Sequence, residues 1–382
     1  MTIQASIAQG QDEMTSVPIA KGEQARPDPA IAALLEPIRE RHGMPALGGA
    51  ILSGDKLLGA AVVGVRKAGN PTKATLQDQF HLGSDTKAMT ATLLALLVED
   101  GKLKWETTLE EALPEYARTM NPAYRGITIE QLLAQRTGFS AETAARNLNL
   151  MQMHAMKGSQ RENRRKYLEK ILAEPPDAPV GQKFVYSNRN YIVAGAIAER
   201  AADQDWESLI TARLFKPLRM TSAGFGAPGR KGRIDQPLPH IEKDGKPSPI
   251  EPGPLADNPP LLGPAGTVHA SLPDWAKFVA AHLRGAAGQD GILPASAFQK
   301  MQKPSEGGQG YAFGWGMLDR PWGGGRVLSH SGSNTMNYAV VWAAPLKDFA
   351  VLVATNEGGD RMAAACDEAA AALIRHHVEA TK

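Results

Sequence analysis

Gly83-Ser84-Asp85-Thr86-Lys87 opens the apolar run Ala88 to Val98, and the fold turns on how these five residues are read. A serine and a lysine three residues apart share one face of a helix, one turn apart. With a helix starting here, Ser84 sits at its N-terminal end, where free N–H groups and the positive end of the helix dipole favour developing negative charge. Lys87 then directs its amine toward the Ser84 hydroxyl, and a partly desolvated lysine can hold a serine ready as a nucleophile. The competing reading makes Ser84 an ordinary N-cap. The same spacing recurs at Ser53-Gly54-Asp55-Lys56. There the Gly-Asp centre falls between two apolar runs, which is hairpin-turn chemistry and leaves Lys56 a solvated charge. Around Ser84 the context differs: a strand-like stretch precedes it, Met89, Leu93, Leu94, Leu96 and Leu97 follow, and Asp100-Gly101 supplies a stop.

Outward from this stretch, periodicity divides the chain. Pro29 to His42 reads as a first helix with Ile31, Leu34, Leu35 and Ile38 on one face. Strands Ala46 to Leu52 and Leu57 to Val65 follow, joined by the Ser53 turn. From Leu103 to about Leu283 helical periods dominate: Leu109 to Leu113, Ile129 to Leu133, Asn163 to Ala173, Tyr191 to Ala202, Trp206 to Leu214 and Leu272 to Leu283. Residues 226–265 form a Pro- and Gly-rich passage too long for an ordinary connection, expected to wrap a surface or border a site. After Ile292 the period returns to two, with strands Tyr311 to Leu318, Val327 to His330, Tyr338 to Ala344 and Phe349 to Thr355. Their short turns demand antiparallel neighbours. A helix from Arg361 to His377 closes the chain. The expected class is α+β: an antiparallel sheet built from both chain ends, flanked by helices, with an inserted mainly helical domain. The expected organisation is a flexible arm over 1–27, a sheet domain over 28–80 plus 290–382, and a mainly helical domain over 81–289, with the active site at their interface.

Composition bounds the function. The 382 residues are 43% hydrophobic and 21% charged, which suits a globular protein with a large core. Lys and Arg number 42 against 40 Asp and Glu, a net charge of +2, so no global field argues for nucleic acid. The basic cluster Arg161 to Lys166 reads as the exposed face of a helix. Cys366 stands alone, so an intramolecular disulfide and a cysteine metal site are excluded, and a small buried thiol is expected. Nine histidines show no His-Glu-x-x-His pattern; neither a metal nor a cofactor is called for. No apolar run approaches the ~18 residues of a membrane span. Residues 1–22 lack a basic n-region followed by an apolar core, which points to the cytoplasm, or to the periplasm or secretion if a leader was removed.

Two further motifs carry chemistry. In Tyr186-Ser187-Asn188, a phenol near a lysine is drawn toward phenolate, so it can take a proton from a serine and return it to a leaving group. The Asn188 amide can orient a substrate carbonyl or the lysine. Alone, such a triplet also suits a simple turn. In His330-Ser331-Gly332-Ser333, Gly332 lets a substrate backbone approach a strand edge, and the N–H after it can aim at the same oxyanion as the N–H of Ser84. A turn histidine is the alternative there.

In order along the chain, Ser84-x-x-Lys87, Tyr186-x-Asn188 and His330-x-Gly332 resemble the penicillin-recognising serine hydrolases: class C β-lactamases, D-alanyl-D-alanine carboxypeptidases of that type and β-lactamase-like family VIII carboxylesterases. The resemblance runs from about Pro29 to Ile374. It is supported by Leu132-Leu133-Ala134-Gln135-Arg136-Thr137-Gly138, Pro217 to Thr221, Gly263-Pro264-Ala265-Gly266-Thr267 and Phe313-Gly314-Trp315-Gly316. It implies Ser84 as the acylated nucleophile, Lys87 as its proton partner and Tyr186 as the general base that becomes general acid. Asn188 would orient substrate, and the N–H groups of Ser84 and Ser333 would form the oxyanion hole. Lys87 and Tyr186 are best treated as a coupled pair.

The departures matter. The lactamases carry Lys-Thr-Gly where this chain has His330-Ser331-Gly332, and a largely neutral histidine is a poorer partner for a substrate carboxylate than a lysine. That favours uncharged esters, and esterases of this type often show such a replacement. Gly-x-Ser-x-Gly is absent, so the α/β-hydrolase reading fails. Gln135-Arg136 stands where relatives usually have His-Thr. The expected activity is therefore a serine carboxylesterase (EC 3.1.1 type) on small or short-chain esters, with a small-molecule partner only. The alternatives are β-lactam hydrolysis or a D-amino-acid peptidase or amidase, with Arg189 as substitute cation, and a silent binding protein of the same fold. Met151, Met153 and Met156 with Leu148 and Leu150 read as core, with an acyl pocket as the alternative. The oligomeric state has no signature here.

Overall fold

A computed structural model describes residues 26–140, 150–304 and 310–381. Leu148 and nearly all of the expected arm lie outside them. The first helix, Pro29–Arg41, starts where Asp28 accepts the Ala30 N–H at 2.8 Å and proline takes the first helical position. Ile31, Leu35 and Ile38 form its buried stripe. Strands Ala46–Ser53 and Lys56–Gly64 follow, joined at Gly54 with φ +56°. The second Ser-x-x-Lys is thus a hairpin turn with Lys56 exposed.

Seven antiparallel strands make one sheet, in the order Lys56–Gly64, Ala46–Ser53, Phe349–Thr355, Tyr338–Ala344, Gly325–Ser333, Trp315–Arg320 and Tyr311–Ala312. Leu47 stands opposite Thr355 and Ser53 opposite Phe349, so the ladder joins the two ends of the chain directly. Phe349–Thr355 is buried at every position because both sheet faces are covered. Helices Pro29–Arg41 and Asp360–Ala380 cover one face, with Cys366 buried among them. A side chain at Gly49 would meet both Leu35 and Leu373, so this strand is glycine where the helices press closest. Leu272–Ala286 covers the other face. Beyond it lie the Ser84 helix, Thr86–Glu99, and the helix Asn188–Ala202. Every residue from Thr86 to Leu97 is buried, as an apolar helix at the centre of a helical layer must be. Thr108, Thr128 and Ser159 start their helices with capping boxes completed by Glu111, Gln131 and Glu162.

Several elements differ from expectation. Tyr311 to Leu318 is two strands, turned back at Phe313-Gly314, because Gly314 adopts φ +83°. A Cβ there would lie 2.5 Å from the Ala88 Cα, so this turn packs directly on the Ser84 helix. The His330 strand runs Gly325–Ser333 and takes in the whole motif. Trp206–Ile210 passes into a π-helical turn, Thr211–Phe215. The basic cluster lies on Gln160–Ile171, but it is not a uniformly exposed face. Arg164 shares the inward stripe with Tyr167, Leu168 and Ile171 and is buried in ion pairs with Glu199 (2.5 Å) and Glu207 (2.8 Å). Of the methionine stretch, Met153 is buried and Met156 packs on the core, while Leu150 and Met151 are exposed. The 226–265 passage contains a hairpin, His240–Lys243 with Lys246–Pro249, clipped to the turn between strands Gly325–Ser333 and Tyr338–Ala344, where the His240 N–H donates to the Met336 carbonyl. Among the described residues no helix is long and apolar enough to cross a membrane.

Candidate active site

The site begins at an interlock of two glycines. Gly83 has φ +50°, and a Cβ on it would lie 2.6 Å from the Gly332 carbonyl carbon. A Cβ on Gly332 would lie 2.5 Å from the Ser84 nitrogen and closer still to the Leu82 carbonyl oxygen. Only glycine at both places lets the Ser84 turn and the end of the His330 strand touch backbone to backbone. Gly83–Asp85 is a 3₁₀ turn that leads into the helix, so Ser84 stands where N–H groups lack intrahelical acceptors.

One turn on, Lys87 is fully buried. Its Nζ lies 2.9 Å from Ser84 Oγ, and donates to Asn188 Oδ1 at 2.5 Å and to the Ala265 carbonyl at 2.7 Å. It also lies 5.0 Å from the ring centre of Tyr186 and 5.7 Å from that of Tyr191. Asn188 is the first residue of Asn188–Ala202, which places the Tyr186 triplet at the mouth of a helix packed on the Ser84 helix.

Gln135 organises that mouth. Its φ is +61°, its carbonyl accepts the Val185 N–H at 2.9 Å, and its side-chain oxygen accepts from Ser187 N (2.9 Å) and Asn190 Nδ2 (2.5 Å). The Arg136 guanidinium donates to the Gly181 carbonyl on the same loop. Sequence reasoning gave Gln135 no role. The one available signal was its departure from the residues relatives carry there.

On the His330 strand, side chains alternate. Ser331 and Ser333 face outward, while His330 and Gly332 face inward. His330 therefore does not reach the surface where a substrate would lie. Its Nδ1 donates to the Ser331 carbonyl at 2.8 Å, which leaves Nε2 as acceptor for the Tyr311 hydroxyl at 3.2 Å. Burial, with the Lys87 charge adding to it, pushes the His330 pKa down to about 3, so the ring is neutral at pH 7. Beneath it Asp85 is fully buried. Desolvation holds its carboxyl well above the usual carboxylate range, although Lys87 opposes the shift. Arg189 is occupied in an ion pair with Glu174 at 2.8 Å. The fold thus gathers Ser84, Lys87, Tyr186, Asn188, Gly332 and Ser333, and sets His330 behind them. Among the described residues no cluster of three or more His, Cys, Asp or Glu is placed to hold a metal ion.

The "Beta-lactamase" family model matches residues 31–375. This chain belongs to the beta-lactamase family. Membership places it among beta-lactamase-fold serine hydrolases. It is 25% identical to penicillin-binding protein 4 of Amycolatopsis lactamdurans over 333 residues, which cover 84% of this chain and 83% of that protein. The beta-lactamase fold is equally clear in structural likenesses. The octameric penicillin-binding protein homologue from Pyrococcus abyssi superposes with a TM-score of 0.71 at 22% identity, over 91% of this chain and 77% of that one. The D-alanine carboxypeptidase AmpC from Burkholderia cenocepacia superposes with a TM-score of 0.68 at 19% identity, over 89% and 97%.

Proposed function

We propose that the chain is a serine carboxylesterase that works through an acyl-enzyme on small, uncharged esters. The observation that carries the reading is the 2.9 Å approach of Lys87 Nζ to Ser84 Oγ, with Nζ held by Asn188 Oδ1 and the Ala265 carbonyl. Those two oxygens only accept, so they take N–H bonds and hold Nζ in place against the Ser84 hydroxyl. Ser84 Oγ attacks the ester carbonyl carbon while its proton passes to the Lys87–Tyr186 pair. The N–H groups of Ser84 and Ser333 hold the resulting oxyanion. Collapse breaks the acyl C–O bond, and the leaving alkoxide takes the proton from the pair. Water, deprotonated by the same pair, then attacks the acyl carbon; Ser84 regains its proton as the carboxylic acid leaves.

Esters are favoured over penicillins and peptide C-termini by the charges present. A substrate carboxylate calls for a cation, but His330 is neutral and turned toward Tyr311, and Arg189 is paired with Glu174. The test compares hydrolysis of p-nitrophenyl butyrate and a chromogenic cephalosporin, with Ser84→Ala as the blank. Rates favouring the ester at least about a hundredfold are expected, with Ser84→Ala inert. A preference for the cephalosporin would overturn the ester assignment, and turnover by Ser84→Ala would overturn the nucleophile.

A further inference from the structure

Neither half of the oxyanion site is held in place by the motif residues alone. Each half has a buried polar side chain beside it: His81, two residues before Gly83, and Asn334, directly after Ser333. His81 Nδ1 accepts the Gly83 N–H at 3.0 Å, which puts the ring proton on Nε2. Nε2 stands 2.6 Å from Asp257 Oδ1, the oxygen lying to the side of the N–H direction, so this attraction is electrostatic more than directional. The same Oδ1 accepts from Asn334 Nδ2 at 3.0 Å and from the Asn258 N–H at 2.7 Å. Asn334 Oδ1 in turn accepts from Met336 N (3.2 Å) and Asn337 Nδ2 (3.1 Å), and the Asn337 carbonyl accepts the Ser333 hydroxyl at 2.8 Å.

We propose that Asp257 is a positioning residue that locks the two N–H groups of the oxyanion hole into register, through His81 on the Ser84 side and Asn334 on the Ser333 side. The inference rests on the esterase reading of the site above. Its physical content is a division of labour. The Gly83–Gly332 interlock lets the two backbones meet, but close backbone contact tolerates sliding along the strand. A single carboxylate oxygen that is hydrogen-bonded to one flank and in close electrostatic contact with the other restricts that freedom, because a shift of either flank weakens one of its contacts. Asp257 comes from the Pro- and Gly-rich 226–265 passage, so docking of that passage completes the hole.

The test uses Asp257→Ala, Asp257→Asn and Asn334→Ala in the full chain, with Ser84→Ala as blank. Three readouts are taken: kcat and KM on p-nitrophenyl butyrate, Ki for butylboronic acid, whose tetrahedral serine adduct requires the oxyanion site, and Tm. Asp257→Ala is expected to lower kcat about 10- to 100-fold with KM within about threefold, and to raise the boronate Ki by the factor lost from kcat/KM. Asp257→Asn keeps an acceptor for Asn334 but loses the attraction for His81, so it should fall between Asp257→Ala and the native protein on both measures. Asn334→Ala should lower kcat with KM nearly constant, and covers the case in which Asp257→Ala fails to fold. Folded variants with unchanged kcat and boronate Ki would overturn the proposal, as would kcat losses with an unmoved Ki. Hydrolysis by Ser84→Ala would instead overturn the site itself, so the two failures are distinct.

Discussion

Gly332→Ala is the sharpest probe of the proposed oxyanion hole, because its effect follows from one close backbone approach. Gly332 is not in the left-handed region, so alanine suits its backbone. What alanine lacks is room: its Cβ would fall 2.5 Å from the Ser84 nitrogen, where an ordinary contact is 3.4–4 Å. Both neighbours are backbone, so no flexible side chain can yield. The Leu82 carbonyl oxygen would lie nearer still, so the strand end must withdraw by more than about 1 Å, and even a 1 Å misplacement at a reacting centre costs on the order of a hundredfold in rate. Loss of one oxyanion donor outright costs about 3–4 kcal/mol, or roughly 10²–10³ in kcat. The expected result is a kcat reduced about 10²- to 10³-fold on p-nitrophenyl butyrate. Gly126→Ala is the control, since nothing lies within 4 Å of a Cβ there. Steady-state kinetics with thermal melts would separate loss of catalysis from loss of fold. A folded Gly332→Ala enzyme within about threefold of the native kcat would refute the contact as the basis of the hole.

Acid should destabilise the protein before the ordinary carboxylate range is reached. Burial pushes His282 and His330 down to about 3 and His269 down to about 4. Their folded pKa values are depressed, so the unfolded chain takes up protons first, and stability present above pH 6.5 is lost as pH falls toward about 4 for His269 and about 3 for His282 and His330. At pH 5 each histidine costs about 2 kcal/mol, roughly 6 kcal/mol together, offset in part by the buried carboxyls of Asp85 and Glu357, whose raised affinity for protons favours the folded chain as pH falls. Urea melts at pH 7 and pH 5 would check this, and equal stability at both would contradict it. Gln135→Gly suits the local φ of +61° while deleting the acceptor for Ser187 N and Asn190 Nδ2. It should cost about 1–3 kcal/mol of stability and lower kcat by loosening the Tyr186 loop, read by melts and kinetics. Native values on both counts would remove Gln135 from the site.

Local chemistry was legible from the residues themselves. The Ser84–Lys87 contact follows from helical spacing and the Ser53 turn from its Gly-Asp centre. The return of the two-residue period after Ile292 foretold a sheet closed by both chain ends, and Leu47 opposite Thr355 is that closure. Arg164 was misread because a charge within a run of charges looks solvated; its burial depends on Glu199 and Glu207, which the helix meets only in three dimensions.

The division between sequence and tertiary structure follows the range of the forces. By itself the sequence determined which residues lie one helical turn or one strand step apart, because backbone geometry repeats over a few residues regardless of surroundings. It therefore set the Ser84–Lys87 pair and put His330 and Gly332 on one face of their strand. The fold decided what those residues meet. The Ala265 carbonyl on Lys87 carries no side-chain signature, and it comes from 178 positions away. Asp257 finds His81 and Asn334 only because the 226–265 passage docks across both. The depth to which the His330 pKa falls below its ordinary value is likewise tertiary, since it comes chiefly from burial. Hydrogen bonds and desolvation act on whatever is brought within a few ångströms, and over such separations only packing of the whole core selects the partners.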